Sequence, residues 1–350
     1  MRNYENINWG NLFTRSTVNK LTEIHEHKGA HSVFFEMYPN AFSEMTDMTK
    51  IQSVGSSVRM AGILTSDDRM KKLVMDKTRP NSRDEEEIAG YRDVLNSISM
   101  NFNHISVTPL TLIQFHQNLC RYIGEEHGGG YRITDEALKT DDIFERTIGS
   151  CSVPSTEIAE SLENLCVFYE NAAKQGIDPL IAIPIIILDF LSIHPFNSGS
   201  GMISRLLTTL LLYKEGYTVG KYISIDRIVK SNQDGYCKAI QQSMEGWDQG
   251  KNDYKPFADY MLDTVLYAYR QLSDKIDSFM KDDMSKPDKV EKAIQKKKGE
   301  ITKSELIKIC PDVSITTIER TLVQLQRSNK IAKIGGGRYT SYVWNSEVDK

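Results

Sequence analysis

The stretch that most constrains the fold runs from Ile181 to Ile193, I-A-I-P-I-I-I-L-D-F-L-S-I, and it is apolar almost all the way round a helix. A helix of that kind has to be buried. It is too short to span a bilayer, and Pro184 interrupts it, so it reads as a core helix. A second apolar run, Leu206–Tyr213, follows closely. The segment between the two, His194–Arg205, reads H-P-F-N-S-G-S-G-M-I-S-R and therefore sits as a loop between two core helices. Gly199 and Gly201 bring backbone N–H groups together just before a helix start, which suits an anion. His194 stands at one lip as a candidate general base. Arg205, one turn into the next helix, has the reach and fork geometry for a phosphate. The loop contains no carboxylate, the group with which phosphate sites hold Mg²⁺.

A chain of 350 residues has room for about two to three domains. With 40% hydrophobic and 26% charged residues it falls in the globular range rather than the disordered one. A net charge of −4 gives no global case for nucleic-acid binding, so any basic surface has to be local. Cys120, Cys151, Cys166, Cys237 and Cys310 are dispersed, with no C-x-x-C pair, which suggests reduced thiols in the cytoplasm. The polar start MRNYENINWGNLF lacks an apolar signal core. A cytosolic protein with no membrane partner is expected.

Helical patterning dominates. Helices are expected over Val18–Glu26, Ala41–Leu64 and Glu85–Phe102, the last with an acidic first turn that complements a helix dipole. Thr108-Pro109 makes an N-cap and N1 pair for a helix to Ile123, with Leu112, Phe115, Leu119 and Ile123 on its apolar face. After Gly128-Gly129-Gly130 come a strand-like Tyr131–Ile133 and an extended hairpin ending at Val153. Further helices are expected from Pro154 to Lys174, over Asp234–Trp247 and over Tyr254–Met280. Charged, apolar-poor residues then mark a linker. Beyond it, short helices over Val290–Lys297, Ser304–Cys310 and Ser314–Ser328 precede a hairpin tipped by Gly335-Gly336-Gly337, the pattern of a winged helix-turn-helix. The expected divisions are an N-terminal helical region 1–103, a second domain 104–280, a linker 281–288 and a winged helix 289–348.

The segment His194–Arg205 resembles the signature of the Fic (Fido-fold) family, H-x-F-x-[D/E]-G-N-G-R-x-x-R. His194, Phe196, Gly199, Gly201 and Arg205 match; Ser198 stands at the Mg²⁺-binding acidic position, Ser200 at the Asn and Met202 at the first Arg. Gly130-Tyr131-Arg132, the stretch Ile143–Val153 and Asp178-Pro179-Leu180 resemble other parts of the domain. The resemblance implies a mainly α fold, the Fic helical fold with a small β-hairpin flap that includes Ile148 and Gly149. It also implies transfer of AMP from ATP, with Mg²⁺, to a Ser, Thr or Tyr hydroxyl of a protein target or of the chain itself. His194 would be the base, and Asn197, Ser198, Gly199, Ser200, Gly201 and Arg205 would contact the nucleotide phosphates. A second family motif, [S/T]-x-x-x-E-[G/N] on an inhibitory helix, reads S-V-R-M-A-G-I at Ser57–Ile63. Ser57 and Gly62 match, but Ala61 replaces the inhibitory Glu, which implies that Arg205 has lost its partner and is free for an anion. Proteins of this layout are often homodimers.

With two charges missing from the loop, weak or altered transfer is expected. The alternative is a non-catalytic sensor of a nucleotide or phosphate that binds DNA through its winged helix, with Thr316, Thr317, Arg320, Arg327 and Arg338 as candidate contacts. Phe196 is expected to pack in the core, and Met202 to lie on the helix surface or the pocket wall. Tyr131 and Arg132 suit either the pocket mouth or strand packing, and Tyr236 either the base side of a nucleotide or the core. His25, His27 and His31 lack the partners that a tetrahedral metal site needs. No partner is evident for His104 or His116.

Overall fold

The computed structural model describes residues 4–124, 128–135, 153–283, 285–297, 299–337 and 340–345, and these are mainly helical. They divide into two compact units, Met1–Ser273 and Asp274–Lys350.

In the first unit, α1 (Trp9–Leu12), α2 (Arg15–Met37), α3 (Ser43–Met60), α4 (Asp67–Val74) and α5 (Arg83–Asn101) precede α6 (Pro109–Cys120). Then come α7 (Ile158–Lys174), α8 (Pro179–Ile193), α9 (Ser200–Lys214), α10 (Ile225–Ser231) and α11 (Gln233–Met244). The long α12 (Lys255–Asp283) begins in this unit. Helix α2 extends well beyond the expected Val18–Glu26. Helix α6 starts as its sequence dictates, with Thr108 Oγ1 accepting from the Thr111 N–H at 3.2 Å and Pro109 in the first turn, where it removes no needed donor.

Helix α8 is the centre of the unit: every residue from Leu180 to Ile193 is buried. It packs against α7, α9 and α11. Asp178 caps it by accepting from the Leu180 N–H at 2.9 Å. One carboxylate, Asp189, lies inside this apolar shell, where an unpaired charge would be costly. It accepts hydrogen bonds from Trp247 Nε1 at 2.6 Å and from the Tyr254 hydroxyl at 2.9 Å.

The strand expected at Tyr131–Ile133 is not a sheet strand. The Arg132 N–H donates to Pro195 O at 2.9 Å, no ladder forms, and Ile133 is 85% exposed. The expected flap over Ile143–Val153, with Ile148 and Gly149, lies outside the described residues except for Val153.

Most of the segment expected as a linker, 281–288, is helical, because α12 runs to Asp283 and α13 (Lys286–Lys296) follows almost at once. In the second unit α13 leads to β1 (Ile301–Thr302), α14 (Lys303–Ile309), α15 (Ile315–Arg327), β2 (Ile331–Ile334) and β3 (Ser341–Trp344). The strands form an antiparallel sheet in the order β1-β3-β2, with Ile301 opposite Tyr342 and Ile331 opposite Trp344. Strand β1 is an addition to the elements expected from sequence. Val290, Ile294, Ile301, Leu306, Ile318, Leu322, Leu325 and Ile331 make the core. Among the described residues, no helix is long and apolar enough to cross a membrane.

Candidate functional site

Helix α8 stops at His194, whose backbone is left-handed at φ 47° and whose N–H donates to Phe190 O at 3.0 Å. Pro195 follows and cannot continue the helix. Arg132 holds this corner. Its Nε donates to His194 O at 2.8 Å, Nη1 to Thr134 O at 3.0 Å and to Asp135 Oδ1 at 2.7 Å, and Nη2 to the carbonyls of Val153 and Ile193. The Arg132 side chain is fully buried, so it neither lines a pocket mouth nor packs as part of a strand. Its fork gathers the chain around the end of α8.

The loop then folds on itself. Phe196 is fully buried, and its N–H donates to Ser200 Oγ at 3.4 Å. Gly199, at φ 80°, is the N-cap of α9, a backbone conformation that suits glycine, and it supplies no side-chain cap. The first turn of α9 thus places the positive end of the helix dipole next to the loop. Asn197 and Ser198 are exposed, whereas Ser200, Gly201 and Met202 are buried. Met202 is pocket wall or core, not surface.

His194 is 3% exposed, and neither of its ring nitrogens has a hydrogen-bond partner among the described residues. Burial, with a smaller contribution from the Arg132 charge, lowers its pKa to about 4. At neutral pH the ring is uncharged and has a lone pair able to take a proton.

Arg205 is not free, contrary to the expectation from Ala61. It is 5% exposed; its Nε donates to Ser57 Oγ at 2.6 Å and its Nη2 to Ser57 O at 3.0 Å. Ala61 caps the end of α3, and its N–H donates to the same Ser57 carbonyl at 3.2 Å, while Gly62 turns the chain at φ 84°. Ser57 therefore engages the guanidinium through both its hydroxyl and its backbone carbonyl. Asp226 is buried near this group: burial raises its pKa to about 6, and the Arg205 charge opposes the rise.

His116, for which the sequence offered no partner, is a second correction. It lies on the buried side of α6, stacks on Phe196 with ring centroids 4.0 Å apart, and its Nε2 is 3.1 Å from Ser198 O. Its position among Leu112, Phe115 and Leu119 was the available signal. Tyr236 is buried against Phe257 and Tyr260. His25 meets the Tyr217 hydroxyl at 2.8 Å, and Ser273 Oγ sits 2.9 Å from both His27 Nδ1 and His31 Nε2. His25 Nε2 also lies 3.4 Å from Asp178 Oδ2 and His27 Nε2 3.7 Å from Glu23 Oε1, so these histidines meet hydroxyls and carboxylates.

In the second unit, Thr316, Arg320 and Arg327 are exposed on α15, together with Glu319 and Gln324. Thr317 is half-buried and engaged in capping: its N–H donates to Ser314 Oγ, and the two hydroxyls lie 2.9 Å apart. Arg338 lies outside the described residues.

His194 and the glycine-capped start of α9 thus lie between two buried core helices. Residues 106–212 match the Fic/DOC family, so the chain carries a Fic/DOC family domain over that span. Solved structures share the fold. A Fic family protein from Desulfovibrio desulfuricans aligns with a TM-score of 0.60 at 20% identity, over 95% of this chain and 97% of its own. A Fic domain-containing signaling protein from Bacteroides thetaiotaomicron aligns with a TM-score of 0.59 at 20% identity, over 71% of this chain and 95% of its own. Fic-1 (residues 134–508) from C. elegans gives a TM-score of 0.56 at 16% identity, over 74% and 72%. No curated protein sequence matches the chain.

Proposed function

We propose that the start of α9 binds the phosphate groups of a nucleotide, and that His194 serves as the base in slow transfer of a nucleotide monophosphate to a protein hydroxyl. The observation that carries this reading is the buried, uncharged imidazole of His194, with no hydrogen-bond partner among the described residues, five residues before the glycine-capped start of α9. In such a step the target's Ser, Thr or Tyr oxygen bonds to the α-phosphorus of ATP, pyrophosphate leaves, and the hydroxyl proton passes to His194. The acceptor is a protein segment or this chain itself.

The donor set at the loop does not fit the family's Mg²⁺. Asn197 and Ser198 offer only neutral oxygens, which bind Mg²⁺ weakly. Arg205 is engaged by Ser57, and Met202 supplies no charge. Transfer that depends on charge neutralisation should then run roughly 10²- to 10⁴-fold below that of a site with both charges.

Labelled ATP with the full chain, with His194→Ala as control, tests the reading. Label on protein that disappears in the variant supports it. Calorimetric binding of nucleotide without any label at any Mg²⁺ concentration overturns the transfer step. Ser198→Asp restores a carboxylate, and a gain in activity would locate the defect in metal binding.

A second reading is a non-catalytic nucleotide sensor whose C-terminal unit is a winged helix that binds DNA. The β1-β3-β2 sheet behind α14 and α15, and the exposed Thr316, Arg320 and Arg327, support it. Salt-dependent duplex binding by the full chain, weakened by Arg320→Glu, is the test; no such binding by the wild type overturns the reading.

A further inference from the structure

His116 belongs to neither the loop nor the base, yet it joins the triple-glycine run to the candidate phosphate site. Gly128 passes so close to α6 that a Cβ there would meet Cys120 Cβ at 2.8 Å. Gly129 has φ 86°, and a Cβ on it would lie 2.4 Å from the Gln117 side chain. Only glycine lets this backbone lie against the helix. The close approach brings the Gly129 N–H to 3.1 Å from His116 Nδ1.

An amide N–H can only donate, so Nδ1 must be the ring nitrogen that carries the lone pair. Burial keeps this ring uncharged, with a pKa of about 4. A neutral ring that accepts at Nδ1 has its proton on Nε2. The 3.1 Å contact between Nε2 and Ser198 O is therefore a donation from His116 to the loop carbonyl. The same ring lies flat on Phe196, 8° from parallel. The loop is gripped at two residues from one side chain.

The peptide unit between Ser198 and Gly199 is planar and trans, so its C=O and N–H point in opposite directions. With the carbonyl drawn toward α6, the Gly199 N–H is aimed away from α6. We propose that His116 is a positioning residue that fixes the Ser198–Gly199 peptide so that the Gly199 N–H is presented to the phosphate ligand. This rests on reading the loop as a phosphate site, whereas the tautomer and the peptide orientation do not.

The experiment uses the full chain as wild type, His116→Gln and His116→Phe. Glutamine keeps one donor and one acceptor; phenylalanine keeps only the stack. Nitrogen-15 NMR of the wild type should show His116 protonated at Nε2, and a proton at Nδ1 would overturn the proposal. Amide exchange at Gly199 and its neighbours should rise about tenfold in His116→Phe and stay within about threefold of wild type in His116→Gln. Equal exchange in the two variants would also overturn it. Adenosine monophosphate, titrated by calorimetry, should bind about tenfold more weakly to His116→Phe than to wild type. If it does not bind the wild type, the phosphate reading of the loop fails, while the tautomer and exchange results still decide the role of His116.

Discussion

Ser57→Ala isolates the contact that holds Arg205. Ser57 is fully buried on α3, and its hydroxyl accepts from the Arg205 guanidinium at 2.6 Å. The substitution removes that acceptor, and water has little access to replace it. The Ser57 carbonyl still accepts from Nη2 at 3.0 Å, so the guanidinium keeps part of its support. A hydrogen bond to a charged group contributes about 1.5–3 kcal/mol, and the loss should lie in that range. For a unit of this size each kcal/mol moves the melting temperature by about 2–4 °C, so a fall of about 3–12 °C is expected. Differential scanning calorimetry of the full chain can follow the transition of the first unit. Ser56→Ala on the same helix is the control, because its hydroxyl makes no side-chain hydrogen bond among the described residues. If both variants melt within about 1 °C of wild type, Ser57 is not what holds Arg205, and the account of this site is wrong.

The pH dependence of stability follows from four buried groups. His31, His116 and His194 have folded pKa values of about 4, below the ordinary 6.5, because burial disfavours their charged form. The unfolded chain binds more protons at these three sites between about pH 4 and 6.5, so stability falls as pH drops through that window. Asp226, raised from 3.8 to about 6 by burial, acts in the opposite sense over its own interval. Two protons net remain, and urea melts between pH 6 and 4 should lose up to about 2.7 kcal/mol per pH unit; a flat profile would contradict the burial of the imidazoles. Arg132→Lys loses the fork that spans the carbonyls of Val153, Ile193 and His194, and should destabilise the first unit by about 3 kcal/mol or more in the same melts. In the second unit, Arg320→Glu should leave the fold intact by circular dichroism. If α15 contacts a phosphate through this residue, the slope of log affinity against log salt falls by about one.

Local signals in the sequence carried much of the architecture. The apolar run fixed α8 as a core helix, Thr108-Pro109 marked the start of α6, and the spaced glycines marked the start of α9. The same sequence left the tertiary pairings unread. Ser57 and Arg205 are far apart in the chain, and the absence of a glutamate at 61 pointed to a free arginine. A serine hydroxyl and a backbone carbonyl filled the role, and neither announces itself as an ion partner. His116 looked idle for the same reason: its links to the glycine run and to the loop are a backbone amide and a backbone carbonyl. The charged run at 281–288 suggested a linker because a charged, apolar-poor helix and a linker share a composition. Strand β1 has only two residues, too few to show an alternating pattern.

The left-handed backbone at His194 has a consequence for how the unit is held together. A non-glycine residue at φ 47° costs roughly 1 kcal/mol or more. Burying the ring with no hydrogen-bond partner among the described residues adds about 1–3 kcal/mol. This position works against folding twice over, and the deficit has to be met by its neighbours. Helix α8, sealed on every side and ending at this residue, is the stability reserve that allows an imidazole to be kept there.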